Sequence, residues 1–123
     1  PIWDFDWGFC HEEDGTKYFM ETGIRLFNSK SGGDAGKLFA QFFKDPEFRK
    51  EYKNHWNAMK PQLYAMDQFI TDYGVYLRKS SAENMEVWYD HRYYTFDFDK
   101  EIEKMKTWLK NRIDFLDQQI NTD

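Results

Sequence analysis

From Gly33 onward the apolar residues of this chain recur every three or four positions, whereas before Gly33 they alternate or keep no period at all. Residues 2 to 7, in "PIWDFDWGFC", alternate strictly, which puts Trp3, Phe5 and Trp7 on one face of an extended segment and Asp4 and Asp6 on the other. That pattern predicts a short strand. Between His11 and Gly33 an Asp14–Gly15 turn signal and the small, polar run "NSKSGGDAG" predict a loop, with short extended pieces at Tyr18 to Met20 and Ile24 to Phe27.

The rest of the chain reads as helices. Asp34 is placed to cap a short one with Leu38, Phe39, Phe42 and Phe43 on one side, and Asp45 followed by Pro46 is an N-cap and N1 pair for the next. This second helix carries Phe48, Tyr52, Trp56 and Met59 inward. Pro61 is expected to end it and open a third, with Leu63, Met66, Ile70, Tyr73 and Leu77 on one stripe. Ser80 and Glu83 have capping-box spacing, which fits either a break there or one long helix. The last helix, near Asp99 to Ile120, has the stripe Ile102, Met105, Leu109, Arg112 or Ile113, Leu116 and Ile120, widened by Trp108 and Phe115. Glu101, Glu103, Lys104, Lys106, Lys110 and Asp114 lie opposite, with Glu101–Lys104 and Glu103–Lys106 pairs three apart.

The expected architecture is therefore mainly α: four to five packed helices with a short N-terminal extended segment and loop. Residues 1–33 form the extended segment and loop, residues 34–123 a helical subdomain, and the two together one structural unit. With 123 residues the chain fits a single domain or a piece of a larger one. A start on Pro1 followed at once by strand-like residues gives the expectation that this unit is truncated at its N-terminus.

Composition narrows the partners. Aromatics make up 20% of the chain, so large rings must dominate the packing. The net charge is -5 and the basic residues are scattered among acids, which offers nucleic acid no coherent positive surface. No apolar run spans a bilayer, and no signal-peptide pattern is present, so no membrane insertion is expected. The one cysteine, Cys10, excludes an intrachain disulfide. His11, His55 and His91 show no zinc-ligand spacing, and the sequence has no nucleophile elbow, Walker motif or glycine-rich phosphate loop.

Two aspartate pairs remain. Asp4 and Asp6, on one face of a strand that rises ~3.3 Å per residue, stand roughly 7 Å apart at Cα and can converge on a hard divalent cation such as Mg2+. The same spacing also fits exposed acids of an edge strand whose other face is buried. Asp97 and Asp99 repeat the Asp-Phe-Asp tripeptide just before the last helix, where the expected role is capping of free backbone N–H groups.

Three stretches, in order, resemble one family. "PIWDFDWGF" resembles the W-D-x-D-x-x-F-G motif of the spore-coat CotH kinase family. "KLFAQFFKDPEFRKEYKNHW" and "IEKMKTWLKNRIDFLDQQI" are similar to that family's C-terminal helices, so the resemblance covers nearly the whole chain. It implies the C-terminal half of an atypical protein-kinase-like domain that transfers phosphate from ATP-Mg2+ to a coat or surface protein. By position the family's metal-binding aspartate falls on Asp4, with Asp6 as a second ligand or orienting group. ATP and Mg2+ are the cofactors the resemblance implies for the intact parent, and spore coat, cell surface or secreted its location. The order Gly8, Phe9, Cys10 departs from the family's small-aromatic-Gly ending, which puts the turn after the motif in doubt.

The family's phosphate-gripping lysine and catalytic base lie upstream of this motif, so no catalytic residue is assigned within the chain and the fragment alone is expected to be inactive. The alternative reading is a helical interaction or scaffold module without catalysis. A nucleotide-sugar transferase with a D-x-D metal motif fits worse, because no strand and helix alternation follows Gly33. Truncation is expected to leave an apolar face, with Trp3, Phe5 and Trp7 as candidates, through which the fragment self-associates.

Overall fold

The computed structural model describes residues 33–88 and 97–122, and all of what it describes is built from three helices. They are α1 (Gly33–Phe42), α2 (Pro46–Trp88) and α3 (Phe98–Asn121). The expectation of four to five helices is corrected to three among the described residues. The segment from Ile2 to Trp7 and the loop after it lie outside them.

The difference in number comes from Pro61. It sits inside α2, a continuous helix of 43 residues, rather than at a boundary. A proline there removes one i to i−4 bond and crowds the preceding turn at a cost of about 3 kcal/mol. The turns on both sides of it are tied to α3: Trp56, Asn57, Lys60 and Tyr64 each hydrogen-bond across to that helix. Those bonds tie the helix to α3 on both sides of Pro61. The Ser80–Glu83 spacing does not break the helix either, and Glu83 instead pairs with Lys79 one turn back at 3.6 Å.

The starts of α2 and α3 follow the sequence closely, whereas α1 begins at Gly33, so Asp34, the expected cap, lies inside its first turn. Asp45 Oδ1 accepts from the Glu47 N–H at 2.9 Å and its carbonyl accepts from Arg49 N–H, so Asp45–Pro46 opens α2 as expected. Asp97 Oδ1 accepts from the Lys100 N–H at 3.1 Å and caps α3. Asp99 does something else: it lies in the first turn of α3 and accepts from Arg78 Nη2 on α2 at 2.8 Å.

α2 and α3 pack against each other antiparallel. Going up α2, Lys53, Lys60, Tyr64 and Arg78 meet Asn121, Asp117, Asp114 and Asp99 going down α3. The apolar centre of this seam holds Ile70, Trp108 and Ile113, the most buried apolar side chains among the described residues. Of the two candidates at that register of α3, Ile113 takes the inward place, while Arg112 lies 5.8 Å over the Phe115 ring. Trp108 is at the centre rather than the margin. Gly74 is buried where α2 crosses Ile102: a Cβ at Gly74 would lie 3.4 Å from the Ile102 side chain, at the close end of ordinary van der Waals contact.

Two expected inward positions are corrected. Met59 and Tyr73 are 53% and 49% exposed, because Lys60 and Gly74 beside them occupy the face toward α3. Leu38, Phe39 and Phe42 of α1 are exposed as well, and α1 meets α2 through Phe42, stacked on Phe48 at 5.4 Å, and through Phe43 just after it, whose ring stands edge-on to Phe48 and Tyr52 at 5.2 and 5.0 Å. Among the described residues no helix is long and apolar enough to cross a membrane.

Candidate functional site

The sequence-assigned metal pair, Asp4 and Asp6, lies outside the described residues, as do Trp3, Phe5, Trp7, Cys10, His11 and His91. Aspartate carboxylates are hard oxygen donors of the kind Mg2+ takes. Among the described residues no group of three or more His, Cys, Asp or Glu side chains is placed to hold a metal ion. His55 is on the exposed face of α2.

What the described residues do build is a polar seam at the end of the hairpin that carries the N-terminus of α2. Asp117 is its centre. One carboxylate oxygen accepts from the Trp56 indole Nε1–H at 2.8 Å, the Lys60 ammonium at 2.8 Å and Asn121 Nδ2 at 2.7 Å. The Lys60 ammonium, then the indole, hold the Asp117 carboxyl below its ordinary pKa. One turn along, Tyr64 donates to Asp114 at 2.6 Å and Lys110 donates to the other Asp114 oxygen at 2.5 Å. The Lys110 bond, then the Tyr64 bond, lower the Asp114 pKa, while that same bond pushes the Tyr64 phenol up to about 12. At the far end Asn57 and Asn121 exchange side-chain hydrogen bonds of 3.1 and 3.2 Å, and Lys53 donates to the Asn121 carbonyl at 3.3 Å. α3 has no basic residue in its own last turn, so Lys53 of α2 supplies the positive charge its C-terminus favours.

Reading the helices one at a time leaves this seam invisible. Trp56 is legible as an inward aromatic, but Lys53, Asn57, Lys60 and Tyr64 also recur at spacings of four, three and four, and Lys110, Asp114, Asp117 and Asn121 at the same spacings. Two matched polar stripes on two helices are the signal, and it emerges only when the helices are compared antiparallel. The Asp114 and Lys106 side chains, assigned to the solvent face, both reach α2: Lys106 stands 3.5 Å from Asp67 as well as 3.4 Å from Glu103. The Glu101–Lys104 pair forms as expected, at 2.7 Å.

The described helices define a long antiparallel helical hairpin with a short anchoring helix, and by themselves they assemble no catalytic constellation. The family model described as CotH kinase protein matches residues 1–116, and the chain belongs to that family. That match takes in the WDFD motif, α1, α2 and most of α3. Neither the curated proteins nor the solved structures contain a match to the chain.

Proposed function

We propose that the chain is the C-terminal portion of a CotH-type protein-kinase-like phosphotransferase, in whose intact parent Asp4 is the metal-holding aspartate. The observation that carries this reading is the family match across residues 1–116, which includes Asp4 and Asp6. Asp4 would hold Mg2+, with Asp6 as a second ligand or an orienting group, and the ion would supply positive charge against the ATP phosphates. Trp3, Phe5 and Trp7 would serve as structural supports for the motif. The acceptor is a coat or surface protein, and this fragment alone does not catalyse transfer.

The test is calorimetry of Mg2+-dependent ATP binding on the full-length protein that carries this chain, beside its Asp4→Ala variant. Binding to the parent with loss of at least about tenfold in affinity in the variant is the expected result. Equal binding by both proteins removes the role from Asp4, and binding by neither removes the phosphotransferase reading.

A second reading, a helical interaction module, is supported by one feature of α2. Phe69, Tyr73 and Tyr76 are 60%, 49% and 76% exposed and form a ladder, with ring centroids 5.5 and 5.7 Å apart. Substituting Tyr73 and Tyr76 together by Ser separates the two: a scaffold loses partner association, whereas ATP binding at the N-terminal motif does not change.

A further inference from the structure

The ends of the three helices enclose a groove of about 820 Å3, between the last turn of α1, the first turns of α2 and the last turn of α3. That is within the roughly 300–1,000 Å3 of clefts that take organic ligands. Phe43, Tyr52 and Ile120 form its apolar wall, and its charged lining is Arg49, Lys50 and Lys53 with no acidic side chain. Spacings of three and four put these cations on one face of α2.

Each cation is held differently. Arg49 Nη1 donates to the Phe43 carbonyl at 2.8 Å, which fixes the guanidinium at the foot of α1 and leaves Nε and Nη2 without a protein partner among the described residues. Lys53 is positioned by its bond to the Asn121 carbonyl. Lys50 stands 3.8 Å from Glu47, and both side chains are more than two-thirds exposed, so this pair contributes little and gives way readily to a ligand.

We propose that this groove docks an acidic peptide segment in which an apolar side chain stands beside carboxylates. The carboxylates meet Lys50, Lys53 and the open edge of the Arg49 guanidinium, and the apolar side chain packs on Phe43, Tyr52 and Ile120. Charge complementarity favours this occupant over others. The chain as a whole has 22 acidic residues against 17 basic, whereas this lining has three cations and no acid, so an acidic peptide finds complementary charge here. The inference is independent of the phosphotransferase reading, since it needs neither ATP nor Asp4.

The experiment is fluorescence anisotropy of a labelled peptide of alternating Asp and Glu around one central Phe, titrated with the full chain. Two variants make the same charge change on the same helix: Lys50→Glu inside the groove, and Lys79→Glu, which is remote from it and paired with Glu83. Lys50→Glu is expected to weaken binding about tenfold or more and Lys79→Glu less than about twofold, with helicity by circular dichroism equal in both. A peptide with Ala in place of the Phe is expected to bind about tenfold more weakly. Equal weakening by the two variants overturns the proposal in favour of a general field effect. Indifference to the Phe, with displacement by inorganic phosphate, overturns it in favour of a simple anion site. Absence of peptide binding overturns it outright, as does a Lys50→Glu effect on self-association of the chain alone, which would make a second copy the occupant.

Discussion

Tyr64 and Asp114 share one hydrogen bond, and that bond makes each a reporter of pH. The Tyr64 phenol has a folded pKa raised from 10.0 to about 12, so its contribution to stability is complete below pH 10 and is lost as pH rises from 10 toward 12. The carboxylates behave with the opposite sign. Asp114, held low first by Lys110, and Asp117, held low first by Lys60, contribute fully above the ordinary carboxylate pKa near 3.8 and lose that contribution as pH falls below it. Denaturant midpoints measured across pH should therefore be flat between about 5 and 9 and fall on both sides. Tyr64→Phe should flatten the alkaline limb and Asp117→Asn the acid one; an alkaline limb of unchanged size in Tyr64→Phe would show that the bond does not form in solution. None of this was legible one residue at a time. Asp114 sits on the side of its helix opposite the apolar stripe, and only the presence of Tyr64 on α2 turns that solvent-facing acid into an interface residue.

At the scale of the element, the starts of α2 and α3 were legible and the continuity of α2 was not. A cap is a local event, decided by the side chain and the two or three N–H groups next to it, so Asp45 with Pro46 and Asp97 could be read directly. Whether Pro61 ends a helix is decided by what holds the turns around it, and here the bonds from Trp56, Asn57, Lys60 and Tyr64 to α3 override its local preference. Pro61 is exposed, so replacing it changes little packing. Pro61→Ala should restore the missing helix bond and raise stability by about 2 kcal/mol, part of the ~3 kcal/mol cost being offset by the looser unfolded chain. Thermal unfolding followed by circular dichroism checks it. An unchanged or lower midpoint would mean that the proline is matched to a bend the packing requires.

For the whole molecule, the family and the helical class were legible because each rests on patterns spread along the chain, whereas the metal pair rests on Asp4 and Asp6, two residues beyond what the structure describes. The helices show a skewed distribution of apolar side chains: Ile70, Trp108 and Ile113 are buried, while Leu38, Phe39, Phe69, Tyr76 and Trp88 are among those well exposed. Cohesion of the described residues is thus concentrated in the α2–α3 seam, with its apolar centre at Trp108 and its polar end at Asp117. Because nearly all interhelical bonds run along that one seam, loss of its centre should release α3 as a unit rather than loosen one site. Trp108→Ala is expected to cost about 3–5 kcal/mol, as for other buried tryptophans, and to broaden or abolish the cooperative unfolding transition. Trp88→Ala, the same chemical change at a side chain that is 76% exposed, should stay within about 0.5 kcal/mol. Urea unfolding of the two variants beside the wild type separates the cases through both midpoint and slope. If Trp88→Ala proved as costly as Trp108→Ala, the far end of α2 would carry a second packed interface of equal weight, and the hairpin seam would no longer be what holds the molecule together.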